Sequence, residues 1–363
     1  MRAAVERARG EGREGGARRI PDDPLARQLR MMSARAGASF SEFDGNLTAL
    51  SGTDWLRVPD PVSPTRLESY GVCGFRFFMS SVLGLRVPDE PRDPETIDPL
   101  VRGTIVHGAL EDFFRQMQAG GRPAIGESWR PADAEHLLRL LEDRLAAARR
   151  RGVGGMAVFA RQQERALRAD LIDFLDADSR FRAQTGAVPC EFEKRIEVTG
   201  PDGQRFVGYV DRIDRDAEGR VWVVDYKTGR APDGAGAAAL GGGTRLQLPV
   251  YLLATGTAHE ATALYWYITA RGGFAQVGYT ATAIAQETFA RTIAAIRGGV
   301  AAGSFPAVPG DFNEFFSEFE NCNRCDFTRI CARTRGEDFA RKGSDERVVP
   351  WAGVATAAAG PTP

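Results

Sequence analysis

Apolar positions recur at three- and four-residue intervals over Ser63 to Leu83, Gly103 to Met117, Pro131 to Arg150 and Ala157 to Arg182. That spacing places one apolar stripe on each segment and predicts a mainly helical first half. The period then shortens to two. Glu191 to Thr199 and Gln204 to Ile213 read as strands on either side of the turn Gly200-Pro-Asp-Gly203, and Arg220 to Lys227 supplies a third, giving a β-meander. The Gly/Ala-rich stretch Gly229 to Gly243 predicts a mobile loop, a lid or substrate guide beside the site. A helix over Leu246 to Ala254, a strand over Ala263 to Thr269, another near Gln276 to Thr282 and a helix over Ala285 to Val300 complete an α/β core. No internal repeat interrupts this order.

Composition changes the picture mainly at the ends. Residues 1–60 mix Arg, Gly, Ala and Ser without sustained periodicity and are expected to be poorly ordered; residues 336–363 are expected to form a flexible tail. No apolar run approaches the roughly 18 residues of a membrane span, and the Arg-rich stretch Met1 to Arg35 lacks the apolar region of a signal peptide. These features predict a cytoplasmic protein without membrane contact. The net charge of −1 means that any nucleic-acid contact relies on local arginines and bound cations rather than a basic bulk. Three lysines against 44 arginines reflect a GC-rich coding bias.

One of the three lysines ends an apolar strand, Val221-Trp-Val-Val-Asp-Tyr-Lys227, so Asp225 and Lys227 share a face. A carboxylate that can hold a hard cation beside an ammonium that can orient water suits phosphodiester hydrolysis. Asp211 closes the preceding strand, so neighbouring strands deliver two carboxylates to one end of the sheet. His107 and Glu111 stand one helical turn apart, as do Gln247 and Tyr251. Taken singly, each has a bland alternative: a strand-end Asp is often a turn residue, and His107 alone would be a core histidine.

Five cysteines without a secretory signal point to metal ligation rather than a disulfide framework. Cys322, Cys325 and Cys331 cluster late in the chain and Cys73 stands alone upstream. Four thiolates hold zinc or a [4Fe–4S] cluster, and spacing does not choose between them. Cys190 reads as a buried free thiol.

Gly208-Tyr-Val-Asp211-Arg-Ile-Asp214 followed by Val224-Asp225-Tyr-Lys227-Thr-Gly229 resembles the PD-(D/E)XK nucleases of the RecB and AddB type. Arg102-Gly103-Thr-Ile-Val-His107 upstream and Gln247-Leu-Pro-Val-Tyr251 downstream keep that family's order, over roughly Pro64 to Arg333. The resemblance implies a restriction-endonuclease-like α/β core over 61–335, with a mixed central sheet flanked by helices. It also implies a metal-dependent DNA nuclease, with Mg²⁺ or Mn²⁺ held by His107, Asp211, Asp225 and the Tyr226 carbonyl. By the same resemblance Lys227 would position or deprotonate water, and Gln247 and Tyr251 would position substrate. Glu191 and Glu193 compete for an acidic role on the first strand and are left outside this set.

The resemblance also resolves the cysteine alternatives. Cys73, Cys322, Cys325 and Cys331 look like the iron–sulfur staple of AddB-type nucleases and of the related CRISPR adaptation nuclease, holding the helical N-terminal part against a segment roughly 250 residues later. The implied substrate is DNA, as single strands or duplex ends during break repair and recombination. With no Gly-x-x-x-x-Gly-Lys-Ser/Thr present, the chain acts alone or beside a separate helicase subunit. The alternative reading is a non-catalytic DNA-end-binding iron–sulfur module.

Overall fold

The computed structural model describes residues 23–86, 96–231, 240–256, 261–315, 317–323 and 325–358. In chain order its helices begin with α1 (Pro24–Ala36), α2 (Pro64–Val72), α3 (Gly74–Phe77), α4 (Pro99–Ala119), α5 (Pro131–Arg150) and α6 (Ala157–Thr185). The strands β1 (Val188–Thr199), β2 (Arg205–Arg215) and β3 (Val221–Lys227) follow, then α7 (Gln247–Leu253), β4 (Ala261–Tyr267), β5 (Gln276–Thr280) and α8 (Ala283–Ala301). A two-residue ladder of β6 (Phe312–Asn313) with β7 (Glu318–Phe319) precedes α9 (Arg335–Lys342) and α10 (Val349–Ala358).

Five strands form one sheet in the order β1-β2-β3-β4-β5. The first three pair antiparallel as the meander predicts, β4 joins β3 in parallel, and β5 returns antiparallel. The sheet is therefore mixed and flanked by helices, the arrangement of a restriction-endonuclease-like α/β fold. Strands β3 and β4 are apolar nearly throughout because both faces are covered. Val221, Val223, Ala263 and Tyr265 face a core built with α2, α7 and α8, whereas Val224, Tyr226, Leu264 and Trp266 face a second core built with α4, α5 and α6. The sheet ends that carry chemistry thus lie between two packed layers.

Local rules account for the helices that hold the site. In α4, Pro99 opens the first turn and Asp98 accepts the Leu100 N–H at 2.8 Å. Its stripe of Ile105, Ala109, Phe113 and their neighbours is buried, which leaves His107 on the flank facing the sheet. In α5, Asp133 accepts the Arg130 N–H at 2.8 Å, and Leu137, Leu141 and Leu145 repeat at four-residue spacing. Burying each contributes about 1.5–3 kcal/mol.

The segment expected as one helix over Ser63 to Leu83 is broken at Cys73, whose φ of −162° is extended. Gly74 permits the break: a Cβ there would lie 2.8 Å from the Phe305 Cα, so only glycine allows this approach. Phe75 N–H then donates to the Pro306 carbonyl at 3.0 Å, tying the upstream cysteine to the late chain.

The termini also carry structure. Phe40 is buried and donates its N–H to Asp345 Oδ2 at 2.9 Å. Within 336–363, read from composition as a tail, α10 buries Val354 and Ala358, and Trp351 Nε1 donates to the Tyr70 carbonyl at 2.8 Å. Residues 1–22, 359–363 and the 232–239 part of the predicted lid loop lie outside the described residues. Among the described residues no helix is long and apolar enough to cross a membrane.

Beneath the sheet, Asp178, Arg182, Arg212 and Asp214 are fully buried. Asp178 accepts from Arg212 at 2.6 Å, Arg182 at 2.8 Å and Trp129 Nε1 at 2.7 Å, and Arg212 also pairs with Asp214 at 2.5 Å. The second aspartate of the Asp211-Arg-Ile-Asp214 motif is thus consumed internally. Asp178→Ala strands two buried guanidinium groups and is expected to cost about 3–5 kcal/mol, measured as a lower urea midpoint. A change within about 0.5 kcal/mol contradicts this account of the network.

Candidate functional site

Three elements converge midway along the β1–β2 pair: Asp211, expected to close its strand, lies inside β2, which continues to Arg215 and pairs with β3 from Arg212 onward. His107 comes from α4, and its Nδ1 lies 3.4 Å from Asp211 Oδ1 on β2. The other Asp211 oxygen accepts the Tyr226 N–H at 2.7 Å, so the carboxylate is fixed by the neighbouring strand's backbone. The Tyr226 side chain points into the core, its ring edge-on to His107 with centroids 5.8 Å apart.

Glu193 completes this corner. His107, Glu193 and Asp211 each present one ligand atom, all within 4.8 Å of one another. Glu193 holds a φ of +44°, a left-handed conformation that is costly for a side-chain-bearing residue. Sequence reasoning left Glu193 aside because Glu191 competed with it. Glu191 instead pairs with Lys194 at 2.7 Å on the surface. The register that brings Glu193 to Asp211 differs by one residue from that of the predicted turn: Lys194 pairs with Val210 and Phe192 with Arg212 on either side of them.

Asp225 and Lys227 project from β3 as an ion pair, with Lys227 Nζ 2.5 Å from Asp225 Oδ2. Lys227 also donates to Gln247 Oε1 at 2.9 Å, and Gln247 Nε2 donates to the Tyr251 hydroxyl at 3.2 Å. The Lys227 ammonium lies 4.6 Å from the Tyr265 ring centroid. The structure therefore brings Asp225, Lys227, Gln247 and Tyr251 into one chain of contacts. Asp225 stands outside the compact His107–Glu193–Asp211 group and borders it through Tyr226.

Electrostatics mark the same residues. Burial pushes the Asp225 carboxyl up to about 6, with Lys227 opposing and Asp211 adding to the rise. Burial, followed by the Asp211 and Glu111 charges, pushes Glu193 up to about 7. Burial alone would lower His107 and Lys227, but Asp211 overrides it for the imidazole and Asp225 for the ammonium, so both are raised. Carboxyls crowded together and shielded from water disfavour their own charge, and a cation relieves that. One nitrogen and two carboxylate ligands suit a hard divalent ion.

The four cysteines expected to act together also meet. Cys73, Cys322, Cys325 and Cys331 line one small cavity with Phe75, Val308 and Arg335. Val308 N–H points at Cys73 Sγ from 3.4 Å. Burial pushes the Cys73 thiol up, and burial and then the Cys73 sulfur push Cys331 up to about 11, so these two thiols resist ionising unless a cation draws them. Cys190 stays apart, directing its thiol to the Ile213 carbonyl at 3.2 Å.

No curated protein matches the chain at a significant level. A family model does: residues 61–332, three quarters of the length, match the PD-(D/E)XK nuclease superfamily. Members of that superfamily are generally metal-dependent nucleases, which agrees with a mixed sheet presenting acidic residues and a lysine at one end. By fold, site and family match, the chain belongs to the PD-(D/E)XK nuclease superfamily.

Proposed function

We propose that this chain is a Mg²⁺- or Mn²⁺-dependent deoxyribonuclease of the RecB/AddB type that degrades DNA from ends or along single strands in repair and recombination, alone or beside a separate helicase. The observation that carries this reading is the meeting of His107, Glu193 and Asp211 within 4.8 Å, next to the Asp225–Lys227 ion pair. The residues proposed to hold the cation are His107, Asp211 and Glu193, flanked by Asp225 and the Tyr226 carbonyl. A divalent ion so held polarises a phosphoryl oxygen and makes water a stronger nucleophile.

The chain's own residues supply the rest. Asp225 pairs with the ammonium of Lys227, which is thereby held where it can donate to water or phosphate. Gln247 restrains the ammonium, and Tyr251 restrains Gln247. The test is degradation of end-labelled and circular DNA, single- and double-stranded, with Mg²⁺ or Mn²⁺ and with chelator. Loss of linear but not circular DNA marks an exonuclease. End binding without cleavage would instead favour a non-catalytic DNA-end-binding module.

We further propose that the four cysteines hold a [4Fe–4S] cluster, with zinc as the alternative. Their meeting at one small cavity supports a shared metal centre, and the order of the cysteines along the chain, which resembles that of the iron–sulfur nucleases, favours a cluster over zinc. An anaerobic absorbance spectrum with iron and sulfide analysis tests this; stoichiometric zinc without sulfide overturns it.

The raised carboxyls give the cation site a pH dependence. Asp225 and Glu193 hold protons in the folded chain up to about 6 and about 7, above their values in an unfolded chain. Their contribution to stability is therefore present at low pH and lost as pH rises through that window. Mn²⁺ takes the place of those protons. The Mn²⁺-induced rise in Tm is expected to be larger at pH 8 than at pH 5.5, and equal rises contradict the assignment.

A further inference from the structure

Glu68 has no part in the chemistry described so far. It follows the buried Leu67 on α2, and its Oε1 accepts two backbone N–H groups, from Leu246 at 2.6 Å and from Gln247 at 3.1 Å. Those two residues begin α7, which has no side-chain cap of its own. The same Gln247 receives Lys227 Nζ at 2.9 Å. A continuous path of hydrogen bonds therefore runs from Glu68 through Gln247 to Lys227 and ends at Asp225. Withdrawing a carboxylate from water is costly unless its lone pairs are used, and bonds from backbone donors to a charged acceptor are among the stronger ones. Burial raises the Glu68 carboxyl to about 7, with the Leu246 N–H and then Lys227 opposing.

We propose that Glu68 is a positioning residue of the nuclease site: by gripping the Leu246 and Gln247 amides it sets the Gln247 side chain, which in turn fixes the Lys227 ammonium beside Asp225. The proposal rests on reading Asp225 and Lys227 as part of the reacting centre. Glu68 acts through α7 and does not touch substrate. Acceptor geometry, rather than charge, is what the role needs. Glu68→Gln keeps an oxygen at the same reach without charge, whereas Glu68→Asp keeps the charge but is one methylene too short.

Two readouts separate this proposal from the nuclease reading. The first is acetylation of Lys227 by acetic anhydride at one fixed pH without DNA, followed by mass spectrometry. The chain has only three lysines: the exposed Lys194 serves as the internal reference, the buried Lys342 as the unreactive control, and the Lys227 side chain is 32 % exposed and so accessible. Glu68→Asp and Glu68→Ala are expected to acetylate Lys227 about tenfold faster, the scale of one lost hydrogen bond to a charged group. Glu68→Gln is expected to match wild type. The second is DNA cleavage, in which the Asp and Ala variants lose roughly 10- to 100-fold in kcat with little change in KM, while Gln retains activity.

Glu68→Ala added to Gln247→Ala is expected to cost nothing further. If Glu68→Ala fails to fold, the Gln and Asp pair carries the comparison. Equal Lys227 labelling in wild type and Glu68→Asp, or Glu68→Gln falling as far as Glu68→Asp, overturns the proposal. Should wild type cleave no DNA, the nuclease reading fails while the labelling result still decides the role of Glu68.

Discussion

Asp225→Ala is expected to lower DNA cleavage at least about 10³-fold while leaving the fold intact. Its carboxylate is buried and pairs with Lys227 at 2.5 Å. Removal takes away a flank of the cation site and the counter-charge that raises Lys227. If these together supply about 4 kcal/mol of transition-state stabilisation, the rate falls by three powers of ten. Stability changes less, because relief of a carboxyl pushed up to about 6 by burial is set against the lost counter-charge of Lys227. Tm measured without metal is expected to stay within a few degrees of wild type. A variant that loses activity only because it unfolds contradicts the assignment.

Cys331→Ser is the second large effect. Cys331 lines the cavity shared with Cys73, Cys322 and Cys325, and its thiol is pushed up to about 11 by burial and then by Cys73. A centre joining Cys73 to the late cysteines closes a loop of roughly 250 residues, so its loss frees much chain entropy in the unfolded state. The expected cost is about 3–5 kcal/mol, or a fall in Tm of about 10 °C. Iron and sulfide should drop together in the purified protein. Some stability survives, because Phe75, Asn321 and Trp351 tie the same segments through hydrogen bonds that need no metal. Full iron content and unchanged Tm in Cys331→Ser contradict the proposed centre.

Periodicity made most of the elements legible. The bounds of α5 were readable to the residue because Pro131 opens it, leucines repeat every four positions, and Arg151 and Gly152 close it. Asp225 and Lys227 were readable as a pair because strand alternation leaves i and i+2 on one face, and Gln247 with Tyr251 because one helical turn separates them. What escaped depends on contacts between distant segments. A mixed sheet was expected, and the helix between two apolar runs marks the β3–β4 crossover, but their register in parallel is set only by contacts in the folded sheet.

Two acidic residues escaped for different reasons. The role of Glu193 required a left-handed backbone at a strand position, which no propensity suggests, and a hairpin register one residue longer than the predicted turn. Glu68 looks like an ordinary helix-surface glutamate, and only the docking of α7 against α2 reveals its partners. The break at Cys73 likewise depends on the Phe305 backbone approaching Gly74 from far along the chain.

The most direct measurement is release of nucleotides from end-labelled single-stranded DNA by iron-replete protein in Mn²⁺, with wild type, Asp211→Ala and Asp225→Ala side by side and a chelator control. The account predicts rapid release by wild type alone, abolished by chelator. Release that persists in either folded variant, or that ignores the chelator, would contradict it.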